Sequence, residues 1–128
     1  MKTCLVVDDS RVVRKIARQI LEKLDFAIIE AADGEQALQA CRDALPDAIL
    51  LDWNMPVMDG YEFLGRLRDL PGGEGPKVVF CTTENNIEHI SLALRAGADE
   101  YIMKPFDKEI VAAKFMEVGL LQSAGPSA

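Results

Sequence analysis

No apolar run in this chain approaches membrane-spanning length, which excludes a transmembrane helix. The first apolar run, Leu5-Val6-Val7, is cut short by Asp8 and Asp9, so no secretory leader is expected. Cysteine is scarce: Cys4, Cys41 and Cys81 are the only three in 128 residues. An odd number at long spacings makes neither a disulfide framework nor a zinc-ligand pattern. Free, buried thiols in a reducing, cytoplasmic compartment are expected instead. Positive charge is also short, with 14 Lys and Arg against 21 Asp and Glu, a net charge of −7. Direct nucleic-acid binding needs a basic footprint, and this chain has none. Histidine is rarer still. The single His89 falls mid-helix on the polar side of the pattern, so a surface position is expected and a histidine phosphotransfer role is excluded.

What is present is the composition of one globular domain, 49% apolar and 27% charged. Short apolar runs alternate with stretches of helical period. Strands are expected at Leu5–Val7, Phe26–Ile29, Ala48–Leu51, Val78–Cys81 and Tyr101–Met103. Ser10 is placed to cap a first helix with Val13, Ile16, Ala17, Ile20 and Leu24 at helix spacing. Asp33 with Gln36, Asp59 with Glu62, and Asn85 with Glu88 fit the capping-box spacing, and Asp107 caps a last helix that stops near Gly119. The second helix carries Ala37, Leu38, Cys41 and Leu45 on one face and ends at Pro46. "LPGGEGP", Leu70–Pro76, reads as an exposed loop. Strand-helix alternation five times over predicts an α/β fold, one five-stranded parallel sheet with helices on both faces. The domain is expected over residues 1–121, with a frayed tail at 122–128.

In a parallel sheet every strand ends at the same edge, and ligands bind in the crevice beyond it. Strand one delivers Asp8 and Asp9, strand three Asp52, strand four Thr82 and strand five Lys104. Strand two ends in Glu30, to which no role is assigned. Carboxylates gathered in one crevice repel, and a hard divalent cation relieves the repulsion, with Mg²⁺ suited to oxygen ligands. A lysine beside them can neutralise an anionic group and a threonine hydroxyl can hydrogen-bond it. These are the parts that phosphoryl transfer to an aspartate requires. Asp52, on the middle strand, is the expected nucleophile.

The acidic pair Asp8-Asp9, Asp52, the "MPVMDG" turn, Thr82 and "KPF" at Lys104-Pro105-Phe106 occur in order, and with them the chain resembles the receiver domain of two-component response regulators from Met1 to about Leu121. It looks most like the single-domain chemotaxis type. The resemblance implies a flavodoxin-like sheet in the order 2-1-3-4-5 and a cis Lys104-Pro105 bond. It implies that a histidine kinase phosphorylates Asp52, that Asp8, Asp9, Asp52 and the backbone carbonyl of Asn54 hold Mg²⁺, and that Lys104 pairs with the phosphoryl group. Thr82 and Tyr101 would form the switch, and Asn54 and Glu84 would tune dephosphorylation. The face of helix 4, strand 5 and helix 5 would meet a downstream protein, with the chain a monomer. One departure is Thr83, where many members carry a small residue; it would narrow access to the site.

Two other functions fit parts of the pattern. A Mg²⁺-dependent phosphohydrolase with an aspartyl-phosphate intermediate also places an aspartate after a central strand, but it needs an acid two residues later, where Asn54 stands. A phosphate sink or relay without output shares every site residue. Singly, each residue has a plainer role: an aspartate after a strand often caps a helix, Asp59-Gly60 reads as turn and cap, and Tyr101 reads as edge-strand packing. Trp53 is expected as a partly exposed neighbour of Asp52, and Met55 and Met58 as packing.

Overall fold

The computed structural model describes residues 1–83 and 87–121. Five strands and five helices alternate: β1 (Thr3–Val7), α1 (Arg11–Lys23), β2 (Ala27–Ala31), α2 (Gly34–Asp43), β3 (Ala48–Asp52), α3 (Gly60–Asp69), β4 (Lys77–Thr82), α4 (Ile87–Arg95), β5 (Glu100–Met103) and α5 (Lys108–Glu117). The strands form one parallel sheet in the order β2-β1-β3-β4-β5. The central strand β3 is buried along its whole length, as a parallel sheet covered on both faces requires.

Alternation along the strands divides the core in two. Leu5, Val7, Ile49, Leu51, Val78 and Phe80 face α2, α3 and α4 through Leu38, Phe63, Leu67 and Ala93. Cys4, Val6, Leu50, Val79, Cys81 and Ile102 face α1 and α5 through Leu21, Val111 and Phe115. Four caps behave as the spacing predicts: Ser10, Asp33, Asp59 and Asp107 accept hydrogen bonds from the backbone N–H groups of Val13, Gln36, Glu62 and Ile110. The Asn85 cap, Glu84 and residues 122–128 lie outside the described residues.

Several expected boundaries shift for local reasons. Phe26 is not a strand residue: its N–H closes the end of α1 on the Leu21 carbonyl at 3.0 Å. Asp25 takes a left-handed φ of 68° there, and β2 then runs on to Ala31. Leu45 does not extend the α2 face. Pro46 disfavours helical geometry before it, α2 ends at Asp43, and Leu45 is exposed. Ile16 is exposed too, and Leu21 takes the buried position on α1.

The Leu70–Pro76 loop is more tightly held than its composition suggests. Arg68, on α3, donates to the carbonyls of Gly73 (2.9 Å), Pro76 (2.8 Å) and Gly97 (2.6 Å). It also meets Asp99, whose carboxylate accepts the N–H of Val78 at the start of β4. One guanidinium thus ties the loop before β4 to the turn before β5. Arg68→Ala leaves three carbonyls without this donor and is expected to cost roughly 3 kcal/mol of unfolding free energy. A urea titration of the variant against the parent measures it.

Candidate functional site

The C-terminal edge of the sheet collects the residues that the strand ends predict. Asp8 and Asp52 are buried, Asp9 is exposed, and carboxylate oxygens of all three lie within 4.8 Å of one another. Lys104 donates to Asp8 Oδ2 at 2.8 Å and to Asp52 Oδ1 at 3.3 Å. Asp8 Oδ1 accepts the N–H of Ser10 at 2.8 Å, so both of its oxygens are engaged. Thr82 is buried at the end of β4, and its carbonyl accepts the Lys104 N–H at 2.8 Å. The Lys104-Pro105 bond is cis, as the resemblance implies.

Burial, together with the charge of Asp8, pushes the Asp52 carboxyl up to about 6 from an ordinary 3.8; the ammonium of Lys104 opposes the shift without cancelling it. For Lys104, burial alone would lower the pKa, but the hydrogen bond to Asp8 and the charge of Asp52 outweigh it, and the net shift is upward. Three carboxylates against one ammonium leave two negative charges unmatched when all are ionised. The donor set is all oxygen and spans a space the size of one ion. These residues therefore fit a hard divalent cation.

Asn54 is exposed two residues beyond Asp52, and Tyr101 is half-buried on β5, packed on the same core cluster as Phe80 of β4. The Lys114 ammonium lies 5.5 Å from the Tyr101 ring centroid. Thr83 is exposed and lines a cavity of about 260 Å³ with Val13, Ile16, Lys104, Pro105 and Phe106.

Trp53 is half-buried beside the site, as expected, and is the hub of an aromatic group. Its ring stacks on Tyr61 (5.5 Å, 16°) and leans on Phe80 and His89, each at 5.0 Å. His89 is thus not the plain surface residue its helical pattern suggests; it turns toward Trp53 and ties α4 to the loop after β3. Met55 and Met58 pack on the core as expected. In that loop Val57 has a left-handed φ of 68°, in a turn closed by the Met58 N–H on the Pro56 carbonyl. The Met58 carbonyl in turn accepts the N–H of Gly34 at the start of α2, which anchors the loop.

Two site residues escape the strand-end reading. Arg14, one turn into α1, donates to the Asp8 carbonyl at 2.6 Å. Gly60 donates its N–H to the Trp53 carbonyl at 2.8 Å and lies directly under Asp52. Arg14 carries no motif, whereas the Asp59-Gly60 pair could be read as a helix start but not as a site contact.

Comparison with known proteins bears on this geometry. Residues 4–115 match the family model described as the response regulator receiver domain. The chain is 36% identical over 118 residues to chemotaxis protein CheY of Halobacterium salinarum, covering 91% of this chain and 96% of that one. Protein CcdB of Bacillus subtilis is 38% identical over 110 residues, covering 84% and 89%. Chemotaxis protein CheY4 of Vibrio cholerae superposes with a TM-score of 0.87 at 32% identity, over 92% of this chain and 98% of that one. A CheX-CheY-BeF3-Mg complex from Borrelia burgdorferi contains a chain that superposes with a TM-score of 0.86 at 31% identity, over 91% and 88%. These matches favour phosphoacceptor signalling and do not favour the phosphohydrolase alternative. With the acids, the lysine and the threonine at the same sheet edge, the chain belongs to the response regulator receiver domains and is CheY-like.

Proposed function

We propose that Asp52 is the phosphoacceptor and that Asp8, Asp9 and Asp52, with the backbone carbonyl of Asn54, hold Mg²⁺. The observation that carries this is the meeting of Asp8, Asp52 and Lys104 within 3.3 Å contacts at the end of the central strands, with Asp9 beside them. A phosphohistidine on a kinase is the donor: an Asp52 oxygen forms the new P–O bond, the P–N bond breaks, and its electron pair stays on the departing imidazole. Bound Mg²⁺ would neutralise the phosphoryl oxygens during this exchange. Lys104, already bridging Asp8 and Asp52, turns its ammonium to the phosphoryl group. Thr82 hydrogen-bonds it, and Tyr101, on the neighbouring strand and the same core cluster, follows. Asn54 and Glu84 set how quickly water removes the group. The chain catalyses only its own phosphorylation and dephosphorylation.

Output passes through the face of α4, β5 and α5 to a protein partner. The His89–Trp53 contact, which links α4 to the loop after Asp52, supports that direction of coupling. The relative in complex with CheX supports a protein partner in general. Among the described residues no helix is long and apolar enough to cross a membrane, and three free thiols fit a cytoplasmic setting.

The test is a Mg²⁺ titration followed by Trp53 fluorescence, then an acyl-phosphate donor and an intact mass. One added phosphoryl group that requires the metal is the expected result. A folded sample that responds to neither overturns the reading. The titration should also depend on pH. Because the metal-free Asp52 carboxyl titrates near 6, the proton competes with the ion. The apparent Mg²⁺ affinity is expected to be flat above pH 7 and to fall by up to about tenfold per unit below 6. Parallel titrations at pH 5, 6 and 8 measure it.

A further inference from the structure

We propose that Arg14 and Glu30 form a latch that positions the Asp8-Asp9 turn for the cation. The proposal rests on the metal site just described and assigns two residues to it. Arg14 Nη1 donates to the Asp8 carbonyl at 2.6 Å, and Arg14 Nε donates to Glu30 Oε1 at 3.0 Å. The arginine side chain is only 15% exposed, so it is held in place and does not sample solvent freely. Glu30 comes from β2, in register with Val6 of β1, and the next residue, Ala31, accepts the Asp8 N–H at 3.1 Å. The second strand, which sends no side chain into the acid cluster, therefore grips Asp8 twice: directly through Ala31, and through Arg14 by way of Glu30.

The grip acts on the peptide that joins the two acids. The carbonyl of Asp8 and the N–H of Asp9 share one rigid plane. Fixing the direction of that carbonyl fixes the plane, and with it the position of the Asp9 Cα from which the side chain leaves the backbone. Asp8 has both carboxylate oxygens engaged, by Ser10 and Lys104. Asp9 is exposed, and among the described residues its carboxylate has no comparable bond, so its placement depends on the backbone. Partners of this kind, one step behind a ligand, typically govern metal affinity by 10- to 100-fold.

Charge and positioning make opposite predictions here, which makes the idea testable. An arginine next to a cation site repels the cation, so a role through charge alone means that Arg14→Gln binds Mg²⁺ more tightly. Positioning means that it binds more weakly. The experiment measures the thermal unfolding midpoint as a function of Mg²⁺ concentration and extracts the dissociation constant. It uses the parent chain, Arg14→Gln, Arg14→Lys, Glu30→Gln, and Arg66→Gln as a control. Arg66 pairs with Glu62 on the exposed surface of α3, so the control removes one positive charge that is held by Glu62 and not by the acid turn. Expected are dissociation constants raised about tenfold or more in both Arg14 variants, raised in Glu30→Gln, and within about twofold of the parent in Arg66→Gln. The lysine variant matters because it keeps the charge and loses the two-pronged geometry. If Arg14→Gln does not fold, Arg14→Lys and Glu30→Gln carry the test. Unchanged or tighter binding in the Arg14 variants, with a responding parent, overturns the latch alone. A parent whose midpoint ignores Mg²⁺ overturns the metal site and the latch with it.

Discussion

Asp52→Asn is expected to abolish phosphoryl uptake completely and, in the same protein, to raise the stability of the metal-free fold. The first effect follows from chemistry, since an amide oxygen is too poor a nucleophile to form the acyl phosphate. The second follows from electrostatics. Asp52 is buried, shares its crevice with Asp8 and Asp9, and titrates near 6. A carboxyl whose pKa is raised in the folded state destabilises the fold wherever it is ionised in both states, here above pH 6. That penalty is relieved as the pH falls from about 6 toward the ordinary value of 3.8. An asparagine removes it at every pH. At pH 8 without metal, the variant should unfold later than the parent by on the order of 2 kcal/mol. Added Mg²⁺ should close the gap, because it stabilises the parent and finds a weakened site in the variant. Chemical denaturation with and without Mg²⁺, beside an intact mass after acyl-phosphate treatment, measures both. A variant that is less stable than the parent at pH 8 would show that the Lys104 ion pair outweighs the crowding of like charges.

The second large effect is steric. In Gly60→Ala the new Cβ lands on the carbonyl oxygen of Asp52 and comes within 2.9 Å of Phe80 Cε1. Neither obstacle is the loose end of a flexible side chain: one is β3 backbone, and the other is a fully buried ring. The N-terminus of α3 must back away, and its hydrogen bond to the Trp53 carbonyl is lost with it. A cost of roughly 3 kcal/mol or more is expected, with the Mg²⁺ response impaired because the displaced backbone carries Asp52. Gly65, on the same helix, supplies the contrast. Its added Cβ meets nothing within 4 Å, so Gly65→Ala should instead stabilise by about 0.5–1 kcal/mol. Two denaturation curves with opposite displacements would establish that the demand is for space at one point, not for glycine in α3 generally.

These residues show where the sequence was informative. The polar residues at four strand ends were legible because parallel-sheet geometry turns a one-dimensional rule, the residue after each apolar run, into a place in space, whereas the strand order came with the family resemblance. Ser10, Asp33, Asp59 and Asp107 were legible because a cap is satisfied within three residues. Arg14, Arg68 and Gly60 were not, because their partners are brought to them by the fold: Glu30 from another strand, Gly97 from another turn, and a carbonyl from the neighbouring strand end. His89 was misjudged for the same reason. A helical pattern tells which face is apolar, but not that an aromatic ring from a different loop rests on the polar side. Leu45 failed more simply, since Pro46 ended the helix before its periodic position was reached.

The three free thiols have a consequence of their own. Burial pushes Cys4 and Cys81 up to about 12 and Cys41 to about 11, so none is nucleophilic while covered. Cys41 belongs to the packing layer on one side of the sheet, and Cys4 and Cys81 belong to the other. An alkylating reagent therefore has to wait for the layer above each sulfur to open. The rate at which each thiol is captured is a clock for the opening of its own layer, so this chain carries a built-in chronometer for each half of its interior.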